Sequence, residues 1–142
     1  MNLKIKVKRL NLGVQLPSYA HSGDVGMDMF SLEDYLLKVG ERKIFPVGFA
    51  LEFPNGYAAM VKDKSSLPKN GGLHTMGGVF DAGYRGEYNV QLVNLGQEPY
   101  QIKKGDKLAQ LVIYPVVIAE LEEVQELSDS SRGTGGFGST GR

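Results

Sequence analysis

Gly77-Gly-Val-Phe-Asp-Ala-Gly-Tyr-Arg-Gly-Glu-Tyr-Asn-Val-Gln-Leu-Val-Asn-Leu95 runs from a glycine-rich turn directly into a stretch where apolar residues take alternate positions. Period two after a glycine turn reads as a β-hairpin entering a half-buried strand, not as a helix. Runs of the same kind occur at Leu3 to Val7, Lys43 to Phe53, Tyr57 to Val61 and Lys107 to Tyr114, and Tyr88 to Leu95 belongs with them. Nineteen glycines and six prolines punctuate the runs, which leaves little room for helices. Ser65 to Asn70 is expected to form one helical turn, and only Ile118 to Leu127, with Ile118, Leu121 and Val124, fits helix as well as strand. The class is all-β, a sandwich or jelly roll whose edges are covered by loops or subunit contacts.

With 142 residues and 42% hydrophobic composition, one core suffices. A single domain is expected over residues 1–127, followed by a glycine-rich arm over 128–142. Sixteen basic and sixteen acidic side chains cancel, so no overall field draws nucleic acid or an anionic membrane, and any phosphate affinity must be local. The absence of cysteine removes disulfides, thiolate metal sites and cysteine nucleophiles. Met-Asn-Leu-Lys-Ile-Lys-Val-Lys at the N-terminus alternates apolar with basic, unlike a signal peptide or membrane span, so a cytoplasmic location is expected.

The arm carries Arg132-Gly-Thr-Gly-Gly-Phe-Gly-Ser-Thr-Gly-Arg142, too glycine-rich to pack. Glycine lets backbone N–H groups approach oxyanions, arginine pairs with phosphate in a planar fork, and a ring among glycines has only a ligand or another chain to stack on. The alternatives are a lid that orders on an anion and a plain Gly/Ser tail. Gly136 to Arg142 imitates a Walker loop but lacks the Lys-Ser/Thr and following helix, which rejects that reading.

Four more loops collect polar chemistry. Ala20 to Asp28 places carboxylates near a glycine turn, either an Asx-type turn or a functional acid. Asp63-Lys-Ser-Ser66 precedes the expected helical turn, where Ser can cap the helix or help hold phosphate oxygens. The Gly77 to Glu87 turn presents Asp81 and Tyr84. In Gly105-Asp-Lys-Leu-Ala-Gln110-Leu an amide interrupts an apolar strand and should face a ligand or partner.

Taken in order, these segments resemble the trimeric dUTP nucleotidohydrolases, the dUTPases, from about Ala20 to Gly141. The matching motifs are Gly-Asp-x-Gly-x-Asp at Gly23 to Asp28, (Arg/Lys)-Ser-x-Leu at Lys64 to Leu67, and Gly-x-x-Asp-x-x-Tyr-Arg-Gly at Gly78 to Gly86. Gly-Asp-x-x-Ala-Gln-Leu follows at Gly105 to Leu111, and Arg-x-x-Gly-Gly-Phe-Gly-Ser-Thr-Gly at Arg132 to Gly141. Five ordered motifs at family spacing are specific where any one is weak. The resemblance implies a distorted jelly roll with at most one short helix, a homotrimer with shared active sites, and Mg²⁺-dependent hydrolysis of dUTP to dUMP and pyrophosphate. That reaction supplies dUMP and keeps uracil out of DNA.

The resemblance also assigns roles. Asp81 corresponds to the general base that activates water for attack at the α-phosphate. Tyr84 corresponds to the ring against the deoxyribose, which excludes a 2′-hydroxyl, and main-chain groups of the hairpin from Gly78 and Asp81 to Gln91 pair with uracil. Lys64, Ser65, Ser66 and Gln110 face the phosphates. Arg132 reaches the terminal phosphate, Phe137 stacks on uracil, and Gly138, Ser139 and Thr140 add contacts. Mg²⁺ is held by triphosphate and water rather than by a protein cage, with Asp28 placed behind Lys64 and not on the metal.

Some positions depart from the family pattern. Lys64 stands where arginine is usual and loses the bidentate fork, while Pro68 and Gly71-Gly72 shorten any helix after the serines. His21 and His74 match no family role and read as turn or surface residues. The related dCTP deaminases carry a glutamate where Gln91 stands, and an amide cannot accept the proton. A non-catalytic nucleotide-binding regulator is the alternative from another class; intact Asp81, Arg132 and Phe137 weigh against it.

Overall fold

The computed structural model describes residues 3–141; Met1, Asn2 and the arm's terminal Arg142 lie outside the described residues. Among the described residues, eleven strands and one short helix follow one another. They are β1 (Lys6–Arg9), β2 (Gly26–Phe30), β3 (Tyr35–Leu37), β4 (Arg42–Pro46), β5 (Phe49–Glu52), β6 (Tyr57–Lys62), α1 (Ser66–Gly71), β7 (Leu73–Met76), β8 (Val79–Asp81), β9 (Asn89–Asn94), β10 (Tyr100–Ile102) and β11 (Lys107–Pro115). The chain is all-β apart from α1, a distorted jelly roll, as its period-two runs require.

Two larger sheets, in the orders β2-β11-β6-β8 and β4-β9-β7, are joined by two-stranded pairs β1-β5 and β3-β10. All pairings are antiparallel. The inner faces meet in one core that includes Met29, Phe45, Phe49, Val61, Leu92, Leu108 and Leu111. Alternation along β9 is strict: Val90, Leu92 and Asn94 point inward and are buried. Asn94 is the polar member of that row, and its amide is satisfied by the carbonyls of Leu37 at 3.0 Å and Glu98 at 2.9 Å.

Several boundaries differ from those read in the sequence. The Lys43 to Phe53 run is two strands, β4 and β5, broken at Val47-Gly48. Gly48 has φ +74°, and a Cβ there would lie 2.5 Å from a Val14 methyl, so the chain turns where a larger residue could not. The first strand begins at Lys6 rather than Leu3. Helix α1 covers six residues and ends at Gly72, which takes the left-handed conformation at φ 67°. Ile118 to Leu127 is neither helix nor strand. No helix is long and apolar enough to cross a membrane among the described residues.

Candidate active site

Asp28 is the buried acid of β2, and its neighbours on the same sheet face are cations and an amide. Gln110 of β11 lies directly opposite it and also opposite Lys62 of β6. Residues facing one another across a ladder share a face. A register shift between Lys107 and Ala109 places Lys107 opposite Phe30, so Lys107 joins Gln110 on the Asp28 face. Without that bulge, two residues three apart on a strand would point to opposite faces. Lys107 Nζ sits 2.7 Å from Asp28 Oδ2, and Lys64 Nζ sits 3.4 Å from Oδ1. The Oδ1 atom is buried and makes no hydrogen bond among the described residues, so it meets Lys64 as a charge only. Burial by itself would raise the Asp28 carboxyl; the Lys107 hydrogen bond and the charges of Lys64 and Lys107 outweigh it and hold the group below 3.8.

The Asp63-Lys-Ser-Ser loop enters this region from the end of β6. Asp63 anchors it to β7, accepting the Thr75 N–H at 2.6 Å on one oxygen and meeting His74 Nδ1 at 2.6 Å on the other. Burial would raise Asp63, but the Thr75 N–H and His74 contacts prevail and lower it. Ser65 stands at the N-cap of α1 without making a side-chain cap bond, which leaves its hydroxyl uncommitted to the helix. Lys64, Ser66, Asp106 and Lys107 line one cavity of about 360 Å³, with Tyr100 on its wall. Among the described residues no three His, Asp or Glu side chains converge to hold a metal. Two ammonium groups of the cavity lining, Lys64 and Lys107, also engage the buried Asp28 beside it.

Asp81 ends β8 opposite Ala58 of β6. Its main-chain oxygen accepts the Tyr84 N–H at 3.1 Å, closing the turn. The Tyr84 hydroxyl donates to the Glu87 carbonyl at 3.0 Å, and a Cβ on Gly86 would overlap that hydroxyl, so the glycine makes the ring's position available. Arg85 folds back on the turn, donating to the carbonyls of Ala82 at 2.6 Å and Tyr84 at 3.1 Å. Gly78 docks the hairpin on β6, its carbonyl accepting the Val61 N–H at 2.7 Å. Gln91 is on the other large sheet, opposite Ile44 and Met76, and lines a cavity with Arg42.

Not all the residues singled out in the sequence meet in one chain. Asp28, Lys64 and Gln110 gather at the Lys62 end of β6, whereas Asp81 and Tyr84 flank its Ala58 end. Lys62 is four residue steps along the strand from Ala58, roughly 13 Å. The arm joins neither group. Arg132 Nε donates to the Gly135 carbonyl at 2.9 Å, and Phe137 is fully exposed with φ 44°. Gly138, Ser139 and Thr140 are likewise exposed, Ser139 donating its N–H to Gly136 at 3.1 Å.

Sequence reasoning passed over Lys107, and the bulge explains why: simple alternation puts it on the face away from Gln110. Replacing it should report on the buried charge. Lys107→Met leaves Asp28 with Lys64 alone and is expected to lower stability by about 1–3 kcal/mol at neutral pH, less than the cost of stripping a fully buried pair because Lys107 is partly exposed. Asp28 is depressed, so its contribution is complete above 3.8 and disappears as pH falls through its folded value. The gap between parent and variant should therefore narrow in acid. Urea unfolding at fixed protomer concentration, from neutral pH to about pH 2, would detect this; a gap independent of pH would contradict the pairing.

Known proteins resemble this chain along most of its length. A family model described as dUTPase matches residues 13–141. The deoxyuridine 5'-triphosphate nucleotidohydrolase of Clostridium kluyveri is 45% identical over 141 residues, covering 98% of this chain and 99% of that protein. Among solved structures, the dUTPase of Staphylococcus bacteriophage 80alpha with dUPNHPP aligns at a TM-score of 0.89 with 29% identity, covering 98% of this chain and 99% of that one. A mutant dUTPase of phage phi11 of S. aureus, described with a structural Mg(II) ion, aligns at a TM-score of 0.81 with 28% identity over 89% of this chain and 99% of its own. With the family model spanning both the cation cleft and the Asp81 hairpin, the chain belongs to the dUTPase family.

Proposed function

We propose that this protein hydrolyses dUTP to dUMP and pyrophosphate at sites assembled between the subunits of a homotrimer. The observation that carries the reading is the split along β6, with a cation cleft at one end of the strand and an acid-bearing hairpin at the other. Ala58 and Lys62 stand roughly 13 Å apart along β6, more than the span of the phosphorus atoms of a triphosphate, which supports a site that takes its cleft and its Asp81 from different copies. The tail of the domain supports assembly as well. Val117, Leu121 and Leu127 are 92%, 93% and 88% exposed on a segment without regular structure, an apolar run that water alone would not favour. Residues 1–127 act as the domain, and the arm over 128–142 closes over a site.

In this mechanism Asp81 holds the attacking water and takes its proton as oxygen approaches the α-phosphorus. Lys64, Ser65, Ser66 and Gln110 orient the phosphates, and Lys107 keeps Asp28 ionised behind Lys64. No side chain of this chain is assigned to hold Mg²⁺; carried on the triphosphate, the ion would supply charge neutralisation at the phosphate oxygens. Tyr84 lies against the deoxyribose, main-chain groups from Gly78 to Gln91 read the uracil edge, Phe137 covers the base, and Arg132, Gly138, Ser139 and Thr140 contact the phosphates from the arm. The phage relative solved with dUPNHPP supports the substrate class.

With Mg²⁺ the protein is expected to cleave dUTP between the α and β phosphates and to leave dCTP, dTTP and UTP nearly untouched. A site that pairs with polar edges discriminates far more sharply than an apolar pocket does. Steady-state pyrophosphate release from each nucleotide is the measurement, and turnover of UTP comparable to dUTP would contradict the role given to Tyr84.

A further inference from the structure

The turn that presents Asp81 and Tyr84 rests on rings that the family motifs leave without a role. Tyr88 is wholly buried. Phe80 stacks on it at 4.2 Å between centroids with planes 16° apart, and Phe49 at 5.5 Å and 26°. Tyr84 leans on the same group, 5.5 Å from Phe80 and 5.9 Å from Tyr88, tilted by 46° and 53°. The base of the stack is fixed by main chain: the Tyr88 N–H donates to Phe49 at 2.9 Å, and the Val47 N–H donates to Tyr88 at 3.2 Å. Tyr84 is thereby held twice, by its hydroxyl on the Glu87 carbonyl and by its ring against the stack. The Tyr88 hydroxyl has no hydrogen-bond partner among the described residues, and burial pushes it up to about 12, the nearby Tyr84 adding to the rise and Arg85 opposing it. What the fold uses is the ring.

We propose that Phe80 and Tyr88 form a platform that sets the height and tilt of Tyr84, making Tyr88 a positioning residue for discrimination between deoxyribose and ribose. The proposal rests on the reading that Tyr84 lies against the sugar. Excluding one hydroxyl demands a close fit, because a ring displaced by even an ångström opens the space that the hydroxyl needs. Side chains that only fill the core would lower activity toward both nucleotides in parallel when replaced, whereas a platform changes their ratio.

The experiment measures kcat/KM for dUTP and UTP in the parent, Tyr84→Ala, Tyr88→Phe, Tyr88→Leu and Phe80→Leu. Tyr88→Phe keeps the ring and should keep the dUTP-to-UTP ratio; its loss there would overturn the assignment to ring packing. Tyr88→Leu should lower the ratio on the order of 10-fold or more. Phe80→Leu should move it in the same direction, and it decides the matter if Tyr88→Leu does not fold. A parental ratio in the folded leucine variants, with Tyr84→Ala losing discrimination, would overturn the platform. A parental ratio in Tyr84→Ala would instead remove the sugar-facing role of Tyr84, and the platform with it.

Discussion

Asp81→Asn is expected to bind dUTP as the parent does while turning it over about 10²- to 10⁴-fold more slowly, the usual worth of a general base. The substitution is clean for structural reasons. Asp81 contributes to the fold through its main chain, by pairing with Ala58 and by accepting the Tyr84 N–H. Among the described residues its carboxylate makes no hydrogen bond and no ion pair, so an amide of the same shape breaks no contact that holds the hairpin. What changes is the capacity to take a proton. Calorimetry with dUTP and steady-state pyrophosphate release on one preparation separate binding from chemistry. Retained binding with turnover within a few-fold of the parent would move the water-activating role to another group.

The strands that the sequence displays well are those with one wet face. β9 alternates over all six of its residues, long enough for period two to stand out, and β11 is legible by its length of nine residues although a bulge breaks its alternation at Leu108-Ala109. β2 escapes such a reading because Gly26, Asp28, Met29 and Phe30 are all buried, so both faces are covered and no alternation remains. β3, β8 and β10 have three residues each, too few for any period. The residue types of the site were legible as ordered motifs, since glycines, acids and hydroxyls at fixed offsets are a local property of the chain. Their arrangement was not. The Lys107–Asp28 pair depends on a bulge and on the register of β11 against β2, and the Phe80–Tyr88 stack depends on which strands the hairpin lies across. Both are consequences of pairing between distant segments, which no local period records.

Deleting Arg132 to Arg142 should leave a folded oligomer and remove most of the activity, on the order of 10²-fold or more given what an arginine contributes to phosphoryl transfer. The fold has little to lose: among the described residues the hydrogen bonds of the arm are to the arm itself, as from Arg132 to Gly135 and from Gly141 to Gly138, and Phe137 touches no core. The site has much to lose, since neither the cation cleft nor the hairpin contains a second guanidinium aimed outward; Arg85 is spent on the carbonyls of its own turn. If the arm closes a site on another subunit, truncated chains and Asp81→Asn chains, each nearly inactive alone, should recover activity when refolded together, the truncated subunit supplying the base and its neighbour the arm. The control is the same two proteins refolded apart and then mixed without subunit exchange, which should stay inactive. Native mass spectrometry would establish that mixed trimers form. Mixed trimers no more active than the control would mean that the arm works with the Asp81 of its own subunit.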